Sequence, residues 1–203
     1  MTSDLRSHAR RVGPVPLLLP LLLVVVGAAS PACADEQGDA VALVETVQQA
    51  AMALGRGGTA ETQRRSISAA FDGKGIARAV LGKSWGSANR DDRAAVVDAL
   101  LGAIVRGLAD RLERTRDQDF VVLGTKVLAK GDILVRSEFR RPARRPASVD
   151  WRVRHCGGRL CIGDVLVDGG SLTVQQRDRV ARRLAGNGGS IPALVADIRK
   201  GRL

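Results

Sequence analysis

The sequence predicts an α+β domain: a curved antiparallel meander of four or more strands, packed by helices. Two changes of period predict it. Apolar residues recur at three- and four-residue spacing from about residue 37 to 114, alternate with period two from about 119 to 167, and return to helical spacing from about 172 to 200. Blocks of helix and strand that are segregated in this way, rather than alternating βα units, favour one sheet with helices gathered on one side.

Ahead of these blocks lies an export signal. Arg6, Arg10 and Arg11 precede an apolar run from Leu17 to Ala29, broken only by Pro20, and Ala32-Cys33-Ala34 fits a small-x-small cleavage site. The run is too short to span a bilayer comfortably. Residues 1–34 are therefore read as a cleaved signal peptide and 35–203 as one domain, exported to the periplasm. Two alternatives match less well: a lipid on Cys33, where Ser30 replaces the leucine expected three positions earlier, and twin-arginine export through Arg10-Arg11, which VGPV follows. Loss of the signal removes three arginines and one aspartate, so the net charge falls from +11 to +9. A charge of that size attracts polyanions. Outside the cytoplasm these are anionic lipid headgroups or lipopolysaccharide; nucleic acid is not expected, and no run of stacking aromatics is present.

The helical elements follow in order. Val41, Val44, Val47, Ala51 and Leu54 form an amphipathic stripe that Gly55, Gly57 and Gly58 end. Thr59 caps a shorter helix to about Ala70, with Glu61 and Thr62 in its first turn. Asp72 caps the next, where Ile76, Val80 and Leu81 share a face and Gly82 is the stop. The longest helix starts at Asn89, with Asp91 and Asp92 at its positive end and Arg111 and Arg114 at its negative end. Its stripe of Val97, Leu100, Leu101, Ile104, Val105, Leu108 and Leu112 is wide enough to cover something large.

The strands come next. FVVLGTKVLA is the first; in the second, Ile133, Val135, Ser137 and Phe139 share one face. The third groups Val149, Trp151, Val153 and His155, and LCIGDVLV is the fourth. Short polar connections favour an antiparallel meander with one wetter face. Ser171 then caps a helix through about Leu184, and Ser190 with Ile191-Pro192 opens a terminal helix ending near Lys200.

Two constellations carry chemistry. Cys156 and Cys161 flank Gly157-Gly158-Arg159-Leu160; if those four residues form the loop, the cysteines face each other directly, at a separation that a disulfide bridges. An even cysteine count in an oxidising compartment favours that disulfide over free thiols or a metal site. His155 beside them is the one histidine left after cleavage, so a Ser-His-Asp or Cys-His site has to be built around it, and zinc lacks nearby ligands. In the same register Asp164 lies opposite Val153, on the apolar face of Ile162 and Leu166, where a carboxylate needs a partner. Its readings are a structural bond to a helix end or to an arginine such as Arg177, a headgroup contact, or a general base. Ser171 reads as a helix cap, with no glycine elbow to make it a nucleophile. The run Arg140-Arg141-Pro142-Ala143-Arg144-Arg145-Pro146 is a solvated connection or an electrostatic docking loop.

Phe71-Asp72 with Ile76-Ala77, Leu81-Gly82 and Trp85, then Asp164-Val165 with Gly169, Ser171-Leu172 and Arg177, together with the terminal SIPALVADI, resemble the MlaC or toluene-tolerance family of periplasmic phospholipid-binding proteins. The resemblance covers nearly all of the exported chain. It implies a cystatin-like, NTF2-type architecture with additional helices. It also implies a soluble, non-enzymatic lipid shuttle that exchanges cargo with an inner-membrane MCE-type ABC transporter and an outer-membrane lipoprotein complex. No cofactor is implied. Three positions depart from the family pattern: Gly163 and Leu160 stand where aromatic residues are usual, as does Val180, and the chain has no tyrosine. Those departures imply an aliphatic cavity and keep hopanoid, cargo of a related branch, beside phospholipid as a ligand. A carrier needs a deep apolar cavity with few polar groups at its mouth. The expected walls are Val80, Leu81, Trp85, Leu101, Ile104, Val105 and Leu108 from the helices, with Val135, Phe139, Trp151, Val153 and Ile162 from the sheet. Asp164, Ser171 and Arg177 are the expected structural or headgroup residues. The competing class is a small envelope hydrolase or binding module, which the scarcity of histidine disfavours.

Overall fold

The computed structural model describes residues 31–55, 60–114, 117–143 and 145–203, excepting the side chains at 31–34, 55, 60 and 112–114. The export segment through residue 30, Gly57 and Gly58, the Thr59 cap, Arg144 of the basic run, and the side chains of Leu112 and Arg114 lie outside the described residues.

Helix α1 runs over Pro31–Gly55, starting earlier than its apolar stripe, and buries Ala40, Val44, Val47 and Ala51 at four-, three- and four-residue intervals. After α2 (Ala60–Ala70), α3 (Gly73–Leu81) opens where the Asp72 carboxylate accepts the Gly75 N–H at 2.8 Å. It closes at Gly82, whose φ of 55° suits a residue without a side chain. A one-turn helix absent from the sequence reading, α4 (Ser84–Ser87), follows. Arg93 steadies it by donating to the Trp85 carbonyl at 2.9 Å while its guanidinium lies over the indole. Asn89 caps α5 (Arg90–Arg114) by accepting the Asp92 N–H at 2.8 Å. Helices α3 and α5 sit so close that a Cβ on Gly73 would come within 2.9 Å of Leu101.

The sheet is a five-stranded antiparallel meander in chain order: β1 (Asp119–Val127), β2 (Ile133–Arg140), β3 (Ala147–Cys156), β4 (Arg159–Val167) and β5 (Gly170–Ser171). The inward row Ile133, Val135, Ser137 and Phe139 is buried throughout. Ser137 is the polar exception, and it donates to the Val149 carbonyl while accepting the Trp151 indole N–H at 3.1 Å. Helices α6 (Leu172–Gly186) and α7 (Ile191–Arg199) complete the layer, capped by Ser171 and Ser190 as their sequences predict.

Two register details differ from expectation. The β3–β4 turn is two residues long, Gly157-Gly158, both with positive φ, so Cys156 pairs with Arg159 and Cys161 with Arg154. The cysteines are therefore diagonal rather than opposite; a disulfide joins them with Cα atoms 6.1 Å apart. Further along, a bulge at Gly163 shifts the pairing, so Asp164 lies opposite Arg152 instead of Val153, and Val165, not Leu166, stands beside Trp151. A period-two reading cannot locate such a bulge, because one extra residue reverses every face beyond it.

Gly163 also makes room. A Cβ there would fall 2.1 Å from Arg154 Nε, and the guanidinium occupying that space lies 3.8 Å from the Asp72 carboxylate. Gly163→Ala is expected to expel Arg154 and lower stability by about 1 kcal/mol in urea unfolding. In an Arg154→Ala background the same substitution should be nearly neutral. Equal costs in the two backgrounds would show that Arg154 is not what the missing side chain accommodates.

Candidate functional site

A cavity of about 380 Å³ opens between the sheet and the helices. That volume is within the range of roughly 300–1,000 Å³ usual for small-molecule sites. Phe139, Val149, Trp151, Val165 and Val167 form its floor. These residues lie toward one end of the sheet, in the rows Trp151–Val165 and Val149–Val167 with Phe139 beyond. Since the indole N–H of Trp151 is spent on Ser137, its ring is an apolar surface.

The walls come from five helices, α1, α3, α5, α6 and α7. Val47 and Gln48 of α1, Ile76 and Val80 of α3, and Phe71 ahead of it make one side. Helix α5 presents Leu100, Ala103, Ile104, Gly107, Leu108 and Arg111, which share one face of an ideal helix. The start of α6 adds Leu172, Thr173, Gln175, Gln176 and Arg179, and Ile198, Gly201 and Leu203 close the remainder.

Of the expected wall residues, Val80, Ile104, Leu108, Phe139 and Trp151 are on the cavity. Seven are not. Leu101 and Val105 lie past the flank of the α5 face, Leu101 against Gly73 of α3. Leu81 and Trp85 are packed into the core at the α3–α4 junction. Val135, Val153 and Ile162 lie under the closed part of the sheet, where Phe71 bridges Ile162 and the Asp72 N–H donates to the Ile162 carbonyl at 2.9 Å. Apolar periodicity marks a side chain as inward-facing. It does not say whether the space ahead of it is filled.

Asp164 lines the cavity, yet its oxygens are already engaged. Oδ1 accepts the N–H groups of Val165 at 2.9 Å and Thr173 at 3.1 Å, and Oδ2 accepts the Ser171 hydroxyl at 2.6 Å. Ser171 Oγ accepts in turn from Val174 N–H at 3.1 Å. The carboxylate thus fastens the α6 N-terminus to β4, the helix-end reading of the sequence, with no arginine involved. Arg177 lies instead over Gly82, its Nε 3.6 Å from where a Cβ would be. The other polar residues on the cavity wall are Gln48, Thr173, Gln175, Gln176, Arg111 and Arg179, none of which periodicity singled out.

His155 does not join Ser171. It contacts Glu36 at 2.5 Å near the disulfide, whereas Ser171 pairs with Leu166, which faces Asp150. Five residues of β3 separate those rows, about 16 Å at strand rise. Among the described residues no cluster of histidine, cysteine and carboxylate suits a metal ion, and no helix is long and apolar enough to cross a membrane.

The segment beside the cavity is held by charge. Buried Asp197 accepts from Arg183 of α6 and, at 3.1 Å, from Arg202 Nε, and Arg106 donates to the Ile198 carbonyl at 3.1 Å. Hydrogen bonds from Arg183 and then Arg202 lower the Asp197 pKa from 3.8 to about 2.

A family model described as MlaC protein matches residues 40–200. Among solved structures, the chain is similar to the phospholipid-binding protein from Ralstonia solanacearum in complex with a phospholipid, with a TM-score of 0.67 and 20% identity over 81% of this chain and 94% of that one. That likeness shows a shared fold. No curated protein matches.

Two measurements test these anchors. Asp164→Asn should lower unfolding stability by about 1–3 kcal/mol, because a donor amide replaces an acceptor at α6; unchanged stability would remove the anchor. For Asp197, the lowered pKa means that its contribution is fully present above pH 4 and is lost as pH falls towards about 2. Wild type should therefore melt above Asp197→Asn at pH 7, and the gap should shrink steeply below pH 4 and close only as pH falls through about 2.

Proposed function

The chain belongs to the MlaC family, and from that membership we propose that it is a periplasmic phospholipid carrier. The observation that carries the proposal is the cavity: an apolar pocket of about 380 Å³ on the inner face of the sheet, with its few polar side chains on the α1, α5 and α6 walls. Its fold relative from Ralstonia solanacearum was solved in complex with a phospholipid, which supports the same ligand class here. Covering acyl chain stabilises the complex by roughly 25 cal/mol for each Å² removed from water, so an apolar floor suffices for affinity.

In this proposal the carrier takes up a lipid at one membrane and releases it at the other. Its partners are an inner-membrane MCE-type ABC transporter and an outer-membrane lipoprotein complex. No chemical step is required of it, and the separation of His155 from Ser171 supports a binding role over hydrolysis. The reading also takes residues 1–34 as the export signal, so the exported form should have a mass that starts at Asp35.

The deciding experiment is mass spectrometry of lipids extracted from exported protein, made in a host that contains phospholipids and hopanoids. Stoichiometric diacyl phospholipid is expected. Hopanoid would keep the carrier and change its cargo; no lipid above background would overturn the carrier. Leu108→Trp, which puts an indole into the half-buried wall, should reduce copurified lipid several-fold while the far-ultraviolet circular dichroism spectrum stays the same.

A further inference from the structure

Arg179 of α6 lies on the cavity wall, and among the described residues the one acid on that wall, Asp164, is consumed by three donors. The acid next to Arg179 in sequence, Asp178, is exposed and off the wall. Arg179 has no ion-pair partner among the described residues, so its charge is available to a ligand. A second group also lacks a partner: Gln176 Oε1, on the same wall, is buried and accepts no hydrogen bond. A buried acceptor of this kind is costly until a donor reaches it.

Resting on the carrier reading, we propose that this site selects phospholipids with an anionic, hydroxyl-bearing headgroup, of which phosphatidylglycerol is the simplest. Guanidinium groups match phosphate oxygens in geometry and charge. A headgroup that ends in ammonium, as in phosphatidylcholine, brings a second cation to Arg179 and neutralises the phosphate that it would hold. A glycerol headgroup leaves the net negative charge intact and supplies the O–H donor that Gln176 Oε1 lacks. The shared chemistry is a phosphate ester, so a free phosphate is the competing source to be separated from the lipid.

The test incubates the protein with vesicles of equal parts phosphatidylglycerol and phosphatidylcholine with identical acyl chains, re-isolates it, and quantifies bound lipid. Phosphatidylglycerol should be enriched about fivefold over the vesicle ratio, the scale of one ordinary hydrogen bond. Arg179→Gln should erase most of the enrichment, and Arg179→Lys should retain part of it. Arg182→Gln makes the same change of net charge on α6 but away from the wall, and should leave the enrichment intact. Bound lipid in the vesicle ratio, or equal losses in Arg179→Gln and Arg182→Gln, would overturn the selectivity while leaving the carrier in place. Absence of both lipids would overturn the carrier and this proposal with it. Inorganic phosphate up to about 10 mM should not change the ratio; collapse of the ratio would assign Arg179 to a free phosphate and overturn the headgroup assignment.

Discussion

The bond between the Asp164 carboxylate and the start of α6 is the constraint on which the site depends. A sheet and a helix layer can bury apolar surface against one another in many relative positions, because apolar contact is not directional. Hydrogen bonds are. Asp164 accepts from Thr173 N–H and the Ser171 hydroxyl, so the first turn of α6 is held at one place along β4. The rest of the wall from this helix follows, since Gln175, Gln176 and Arg179 lie within two turns of that anchor. The carboxylate has little left for a ligand, which is why a charged group on the cavity wall is structural.

Around this anchor the layer divides into a sealed part and an open part. Where α2 and α3 meet the β4 edge, Phe71 and Asp72 bond directly to Ile162, and the inward row of Val153 and Ile162 is fully buried. Toward the β4–β5 end the helices do not fill the space, and Val149, Val165 and Val167 face the cavity. Helix α5 serves both parts from one stripe. Its Leu101 packs against Gly73 while Ile104 and Leu108 line the open volume. The wide stripe is thus two functions side by side on one helix.

Gly163 shows how a missing side chain can be put to use. The volume that a Cβ would take goes to the Arg154 guanidinium, which approaches Asp72 from there. Asp72 also caps α3 through Gly75. One carboxylate therefore links a helix start to a strand arginine, and Gly163 belongs to that arrangement rather than to the cavity, whose wall does not include it.

The sequence by itself determined the local elements, because their causes are local. Asp72, Asn89, Ser171 and Ser190 cap helices through groups three residues away, and period-two alternation orders the strands. The order of its periods determined the fold class, and its family motifs the ligand class to look for. Only the tertiary structure decided which apolar residues line a cavity, since Val153 and Trp151 have the same pattern and differ only in what stands opposite them. It also decided the Gly163 bulge, the two-residue turn that sets the cysteines diagonally, and the placing of α5 and α6 residues, far apart in the chain, on one cavity wall. Contacts between distant segments depend on how whole elements pack, and no spacing within one element encodes that.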